Sequence, residues 1–467
     1  MRPASFRDQA VISSLYRSRL ILLVAFAFAV MGDPVSSVAY AIEAALRALH
    51  GDLALLVVTM SIVLAVIALV SLNYHQLYAR FPEGGGDAAA TGTAFGEGWA
   101  FLPLGSLIVD YTLTITISVA AGASAIIAFW PGLEPLRIPL ALALLAVVAA
   151  LTWFGHGGRV VFAAMTLAFI AVAFAVLAMG FIAPTAHGSA PLVPAGGYQR
   201  GPLAVLLAFP VAMALATGVE APSSAIAQLG QLDDAGRRRF GRITLWLMLA
   251  IVVALTVGLS VLAVRLRVGI PPGDSTQIAE VARTAAGGGA LFAAFQVTTA
   301  ILLLAAASSS FQAGPGLLKA LSPGGGGVGI LPAGLGRTNR HHTPYWGVAV
   351  FWAISALIVV AAGAREQRLV LFYAVAVFAA FLCGLLSMAK FFRAERRWAL
   401  LATSVTGALA VALTLLVNVA RGYPIASLVT AVALAAALHR LWVRAGRPRG
   451  VAEAERIAEA TDEPVRL

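Results

Sequence analysis

The sequence predicts an all-α polytopic membrane protein with twelve transmembrane helices. Of its 467 residues, 60% are hydrophobic and only 11% are charged, which is too apolar for a chain that folds around one soluble core. The apolar residues form twelve stretches, each long enough for the roughly 20 residues that cross a bilayer as a helix. We place the spans at 20–48, 52–73, 94–129, 137–154, 159–183, 200–228, 241–264, 287–313, 344–362, 368–391, 398–418 and 424–442.

The basic residues predict the orientation of the chain. Most of the 32 lysines and arginines fall in the N-terminus, the C-terminus and alternate loops between them, and their dispersal gives no basic face for nucleic acid despite a net charge of +11. Such clusters stay on the cytoplasmic side of a membrane. We therefore expect both termini in the cytoplasm, with the lipid bilayer as partner. The excess of arginine over lysine suggests a GC-rich bacterial genome, and we expect the protein in a bacterial cytoplasmic membrane.

Three acidic residues, Asp33, Asp110 and Glu220, lie deep inside the apolar stretches. A charge at the bilayer centre costs about 3 kcal/mol, which helix packing alone does not require. These acids predict a cation site or a proton relay. Glu43 is different, because it lies four residues before Arg47 near the end of the first span, where we expect a helical ion pair.

The first and sixth spans are interrupted in the same way. Residues 31–37 and 216–224 each combine an acid, a proline and a serine pair that follows the acid at three and four residues. Paired broken helices in two halves of a chain indicate the substrate site of an inverted-repeat transporter. We predict a LeuT-like repeat of five plus five helices with two extra helices, in a transporter domain of residues 1–443 followed by a short cytoplasmic tail, 444–467. Two proline kinks with back-bonded serines are the simpler alternative, but they leave the acids unexplained.

The third span carries a polar stripe. Asp110, Thr114 and Ser118 are spaced four residues apart, so they share one helix face, with Tyr111 and Thr112 beside it. For the two hydroxyl residues alone, helix packing would be the favoured explanation. The aspartate shifts the interpretation toward function.

These motifs resemble a known group of proteins. Loops such as Tyr78–Gly86 and Thr343–Gly347 are similar to those of the amino acid, polyamine and cation (APC) superfamily. The segment Gly32-Asp33-x-x-Ser36-Ser37-x-x-Tyr40-Ala41 resembles the GD-x-x-[ST]-S-x-x-YA signature of the Kup-type potassium uptake family, which includes KimA-like importers. The resemblance covers about residues 20–442. It implies handling of potassium and protons by Asp33, Tyr40, Asp110, Thr114, Ser118, Thr217 and Glu220.

The resemblance leads to a hypothesis for each position. Potassium exchanges its water shell for oxygens, which carboxylates, hydroxyls and freed backbone carbonyls supply. We expect potassium at Asp33, Tyr40, Thr114, Ser118 and Thr217, with Asp110 and Glu220 as candidates for the coupled proton. Potassium is the cargo, and no cofactor is expected. KimA-like importers often carry a large cytosolic domain for which residues 444–467 leave no room, so a homodimer is kept only as one open assembly.

Several alternatives stay open at this stage. The same acids could attract an organic cation such as a polyamine or a cationic amino acid, although only Tyr40 and Tyr111 offer an aromatic wall. A passive channel is disfavoured because no TVGYG-like filter is present. A transition-metal transporter is disfavoured because His341 and His342 fall in a loop. We expect no enzymatic activity, since no histidine lies at membrane depth, although a carboxylate dyad is left open.

Overall fold

The computed structural model describes residues 19–154, 159–194, 201–324, 327–422 and 425–459. The ends of the predicted transporter domain and tail, residues 1–18 and 460–467, lie outside these ranges, as do the predicted span limits at 200 and 424. In the described ranges the regular structure is helical, without a β-strand. The all-helical class predicted from the sequence is thus confirmed.

The first half of the bundle contains eight α-helices. Their bounds are α1 Arg19–Val30, α2 Gly32–Ser36, α3 Val38–Ala48, α4 Leu53–Arg80, α5 Gly86–Phe95, α6 Phe101–Phe129, α7 Arg137–Trp153 and α8 Arg159–Ile182. Short 3-10 turns at Glu97–Ala100 and Pro131–Leu136 lead into α6 and α7.

The second half contains ten α-helices. Their bounds are α9 Pro202–Ala212, α10 Ala221–Ala225, α11 Asp234–Arg265, α12 Gln277–Ala286, α13 Ala290–Ala320, α14 Tyr345–Ala361, α15 Glu366–Ala394, α16 Trp398–Ala420, α17 Ile425–Arg444 and α18 Ala454–Glu459. Further 3-10 turns lie at Met213–Ala216, Ile226–Gln228 and Val451–Glu453.

Ten helical stretches of the described chain are long and apolar enough to cross a membrane. They correspond to the predicted spans two to eight and ten to twelve. The predicted first span is divided among α1, α2 and α3, and the predicted ninth is α14, with 17 residues. Both contain shorter apolar helices, so the count of twelve stays a prediction.

The sixth span is broken between α9 and α10, as the first is between α1 and α3. Proline has no N–H to donate, and serine hydroxyls satisfy the carbonyls at each break. The Ser36 hydroxyl donates to the Asp33 carbonyl at 2.7 Å, and the Ser223 hydroxyl donates to the Glu220 carbonyl at the same 2.7 Å. The serine back-bonding of the simpler alternative therefore occurs at both breaks.

The two breaks pack directly against each other. The Ser37 hydroxyl lies 3.1 Å from the Leu215 carbonyl, across from one broken span to the other. Gly218 has a φ of +81°, and a Cβ there would lie 2.8 Å from Pro34 Cδ and 3.0 Å from Asp33 Cγ. Only glycine combines that backbone conformation with so close an approach.

One end of the bundle is closed by the end of the described chain. We call it the tail face, and define it by residues 81–97 and 450–459. The Glu97 carboxylate accepts the N–H groups of Gly450, Val451 and Ala452 at 3.1, 2.6 and 3.3 Å. Helix α18 then packs against α5, α10 and α13. The sequence predicts the tail face to be cytoplasmic.

Candidate functional site

The three acids singled out in the sequence come together at the broken helices. Asp33 lies in α2, Asp110 in α6, and Glu220 immediately before α10. All three are buried, with 9%, 1% and 6% of their surface exposed. Asp110 lies within electrostatic range of both Asp33 and Glu220. The fold therefore joins residues that are up to 187 positions apart in sequence into one acidic centre.

This acidic centre lacks compensating partners. In the part of the chain that the structure describes, no hydrogen-bond partner reaches Asp33 Oδ1, Asp110 Oδ1 or Glu220 Oε2. The side chains that act electrostatically on Asp110 and Glu220 within those ranges are other carboxyls. Buried carboxylates without a basic partner are costly, and a bound cation or a bound proton removes that cost. The arrangement suits cation chemistry.

Hydroxyl groups lie on the same elements as the acids. The Thr217 hydroxyl donates to the Ala214 carbonyl at 2.8 Å, which leaves its lone pairs available to accept or to bind a cation. Ser118 Oγ has no hydrogen-bond partner among the described residues. By contrast, the Thr112 and Thr116 hydroxyls bond back to carbonyls of their own helix, at 2.8 and 2.6 Å.

All seven predicted site residues are buried in the bundle. Thr114 and Ser118 are each 1% exposed, Tyr40 is 1% exposed, and Thr217 is fully buried. Helix α6 holds Asp110, Thr114 and Ser118 on one face, as expected, and Thr217 adjoins Gly218, which touches Asp33. Burial and proximity are consistent with a shared site, while the role of each residue stays a prediction.

Sequence reasoning missed two further buried acids, Asp87 and Glu455, on the tail face. They are 4% and 2% exposed, and the Tyr74 hydroxyl donates to Asp87 Oδ2 at 2.7 Å. Burial raises the pKa of Asp87 to about 7 and that of Glu455 to about 8. The one signal for Asp87 was its place between three glycines and an apolar run of small residues. Glu455 had none, since it lies in a charged tail.

The opposite face carries acids of another kind, which are paired with arginines. Glu43 and Arg47 form the predicted ion pair at 2.7 Å, and the Glu43 carboxylate also accepts the Gln277 N–H at 2.9 Å. We call the adjoining group centred on Arg137 the opposite-face network. Its members within reach of the guanidinium are Glu134 at 2.7 Å, Ser124 at 2.6 Å, the Gly273 carbonyl at 2.8 Å and Glu366 at 4.0 Å.

Comparison with known proteins places these features in a family context. The family model described as amino acid permease matches residues 21–443. The potassium transporter KimA of Bacillus subtilis (strain 168) is 30% identical over 268 residues, which make up 55% of this chain and 43% of KimA. The alignment thus spans less than half of that relative. A mutant of the manganese transporter of Eremococcus coleocola aligns with a TM-score of 0.49 and 14% identity, over 91% of this chain and 95% of that chain.

Proposed function

Because this chain belongs to the amino acid permease family, we propose that it is a secondary transporter that imports potassium together with protons. The observation that carries the proposal is the acidic centre of Asp33, Asp110 and Glu220, buried where two broken helices meet, with an unpartnered oxygen on each acid among the described residues. A permease site for the carboxylate of an amino acid would instead expose helix N-termini without acids.

The oxygen donors at the breaks favour potassium as the cargo. Asp33, Tyr40, Thr114, Ser118 and Thr217 supply a carboxylate and hydroxyls that can replace the water shell of the ion. Unwound backbone at residues 217–220 offers carbonyls as well. The partial identity to a relative named as a potassium transporter supports the same cargo.

Protons provide the coupling in this proposal. Carboxyls that lie close together in a low dielectric cannot all be ionised, so the acidic centre holds at least one proton at neutral pH. Asp110 and Glu220 are the candidates, and we propose that one of them exchanges the coupled proton. One charge that crosses 100 mV gains about 2.3 kcal/mol, and a potassium ion with a proton gains about 4.6 kcal/mol, enough for over 1000-fold accumulation.

The remaining assignments belong to the same proposal. Matching hydrogen bonds at the two breaks, one from Ser36 and one from Ser223, support a LeuT-like repeat of five plus five helices with two extra helices. We place the protein in a bacterial cytoplasmic membrane with both termini cytoplasmic, as a transporter without enzymatic activity or a cofactor, and keep a homodimer as one candidate assembly.

An organic cation is the second candidate cargo, because the family is described by amino acid permeases. The acidic centre would attract a polyamine or a cationic amino acid, and such a cargo gains from an aromatic wall. Tyr40 is buried beside the first break and is the residue to test for that role. Competition separates the two candidates, since a polyamine or a cationic amino acid should leave rubidium uptake unaffected if potassium is the cargo and should block it if the organic cation occupies the same site.

Rubidium uptake in bacteria that lack their own potassium transporters tests the proposal. We expect the wild-type chain to restore growth at low potassium and to take up rubidium, and a protonophore to abolish that uptake. Asp33→Asn should lose it, because the variant lacks the carboxylate that balances the potassium ion, and Glu220→Gln should lose it, because an amide cannot carry the coupled proton. Wild-type uptake through variants that reach the membrane would overturn the assignment of the site. If rubidium never enters, labelled polyamines become the next cargo to measure.

A further inference from the structure

Two acids outside the acidic centre form a second buried pair, Asp87 and Glu455, which we call the inner pair. Asp87 lies in the first turn of α5, and Glu455 of α18 lies within electrostatic range of it. A Cβ at Gly86 would lie 2.5 Å from Glu455 Oε1, and one at Gly384 would clash with Asp87 Oδ1. Each carboxyl therefore packs directly against the backbone of a glycine, where a larger residue would clash with it. The glycines make room for them, so the inner pair is a built feature of the tail face.

The inner pair has no basic partner in the described part of the chain. Asp87 Oδ1 and Glu455 Oε2 are buried there without a hydrogen-bond partner. The adjacent Arg456 turns to Glu83 and Glu453 instead. The Ala88 amide and the Ser224 hydroxyl lie beside Glu455 and lower its pKa, but burial and the nearby acids outweigh them. The other titratable groups that the inner pair acts on or faces are Tyr74, Tyr78, Tyr111, Glu220, Cys383 and Glu459.

Two tyrosines of α4, Tyr74 and Tyr78, interact electrostatically with both the inner pair and the acidic centre. The Tyr74 hydroxyl donates to Asp87 Oδ2 at 2.7 Å. Tyr78, one turn later on the same face of α4, is fully buried, and its hydroxyl lacks a partner within the described ranges. Both tyrosines lie within electrostatic range of Glu220 and of Asp87. A phenol can donate and accept at once, so these hydroxyls can pass a proton.

The chemistry of the inner pair suits a proton better than a potassium ion. Gly86 and Gly384 pack directly against the two carboxyls, and the polar groups at them are the Tyr74 hydroxyl on Asp87 and the Ser224 hydroxyl and Ala88 amide beside Glu455, fewer oxygens than a potassium ion takes as it sheds its water shell. Burial holds the pKa of Asp87 at about 7 and that of Glu455 at about 8, so each carboxyl gains and loses a proton near neutral pH. A proton moves readily between carboxyls of similar proton affinity, and a phenol hydroxyl on the way can relay it by donating one proton while it accepts another.

We propose that Asp87 and Glu455 form the proton exit of the transporter, which carries the coupled proton from Glu220 to the tail face. The inference rests on the proposed proton coupling and adds the route. The proton leaves the Glu220 carboxyl, moves by way of the Tyr78 and Tyr74 hydroxyls to Asp87, and passes to Glu455 and then to water. Each transfer breaks one O–H bond and forms another, so no oxidant or reductant takes part.

The segment from residue 450 to residue 459 supplies one of the two carboxyls of this proton exit. Glu455 lies within electrostatic range of Asp87 only because the chain from residue 450 onward docks on the tail face, where Glu97 binds three of its N–H groups. The tail therefore contributes the last carboxyl of the route, and its docking couples the end of the chain to transport.

Purified full-length protein in liposomes tests the exit through two modes of transport. Net rubidium uptake driven by an inward proton gradient requires release of the proton on the tail face. In exchange of internal potassium for external rubidium at equal pH, the transporter crosses the membrane in both directions with a cation and the proton bound, so no proton has to be released. Asp87→Asn and Glu455→Gln should lower net uptake tenfold or more, as for loss of a proton-transfer group, and keep exchange within about twofold of the wild type. Glu453→Gln is the matched control, because this tail acid has a side chain that is 56% exposed, and it should change neither mode.

Each other outcome rejects a distinct claim. Unchanged net uptake in both variants would overturn the proton exit while the coupling stands. Loss of exchange together with net uptake would place the inner pair in binding or folding, and would also overturn the exit. If the rate of rubidium uptake by the wild type is the same with and without the proton gradient, the proposed coupling to protons is wrong. The main-site variant Asp33→Asn should lose both modes, which distinguishes a binding defect from a release defect.

Discussion

The contact between the two broken helices can be tested by adding a single methyl group at Gly218. In Gly218→Ala the new Cβ would meet Pro34 Cδ at 2.8 Å and Asp33 Cγ at 3.0 Å, whereas ordinary carbon contacts lie at about 3.5–4.0 Å. Asp33 must therefore move by about 0.5–1 Å. We expect the free energy of unfolding to fall by about 1–3 kcal/mol because a side chain is placed at positive φ, and by about 1–3 kcal/mol more because the contact is overpacked.

A matched variant separates those two costs. Gly201 has a φ of +82°, almost the same as the +81° of Gly218, but a Cβ there would meet nothing within 4 Å. Gly201→Ala should thus show only the backbone cost. Thermal unfolding in detergent should give the lower Tm for Gly218→Ala. Rubidium uptake per folded molecule should fall by up to about 100-fold in Gly218→Ala, as for a 1 Å misplacement of a functional group, and by less than twofold in Gly201→Ala. Equal Tm and equal uptake in the two variants would refute the packing of the breaks.

Three further predictions concern other contacts of the fold. Ser37→Ala removes the hydroxyl that faces the Leu215 carbonyl, so the free energy of unfolding should fall by about 0.5–1.5 kcal/mol in denaturant titrations, and no change would contradict the contact. Arg137→Met removes the arginine that lies 4.0 Å from the buried Glu366, and it should lower the free energy of unfolding by about 3–5 kcal/mol. The half-exposed Arg365→Met should cost less than about 1 kcal/mol, because its partner Glu134 keeps Arg137; similar Tm values for the two variants would exclude this difference. Burial raises the pKa of Asp87 from its ordinary 3.8 to about 7 in the folded protein. Between these two pH values the folded state binds more protons than the unfolded state, so the free energy of unfolding should fall as the pH rises from about 4 to 7. Asp87→Asn should flatten that slope in Tm measured against pH, and an unchanged slope would assign it to another group.

Local signals made the broken helices predictable from sequence. A proline beside an acid inside an apolar run, as at Asp33-Pro34, interrupts a helix wherever the chain later packs. The ion pair of Glu43 and Arg47 was likewise a matter of spacing on one helix. The convergence of Asp33 with Glu220 followed from the likeness of the two breaks.

What depended on long-range packing could not be predicted. The electrostatic interaction of Asp87 with Glu455 joins residues 368 positions apart, and acids in a glycine-rich loop and a charged tail are normally solvated. Some helix boundaries also differ from the boundaries that the sequence predicts. The second span was expected to end at residue 73 but continues to Arg80, because polar residues such as Asn73 and Tyr74 find buried partners on α16 and α5.

The reversal potential of the purified transporter tests the central claim most directly. Currents are recorded across a membrane with a fixed potassium gradient while the pH on one side is changed. If potassium and protons cross together one to one, the reversal potential should shift by about 30 mV per pH unit, half of the 59 mV for a single transferred charge. Asp33→Asn should carry no such current. A reversal potential that follows potassium alone and ignores pH would contradict coupled import through the acidic centre.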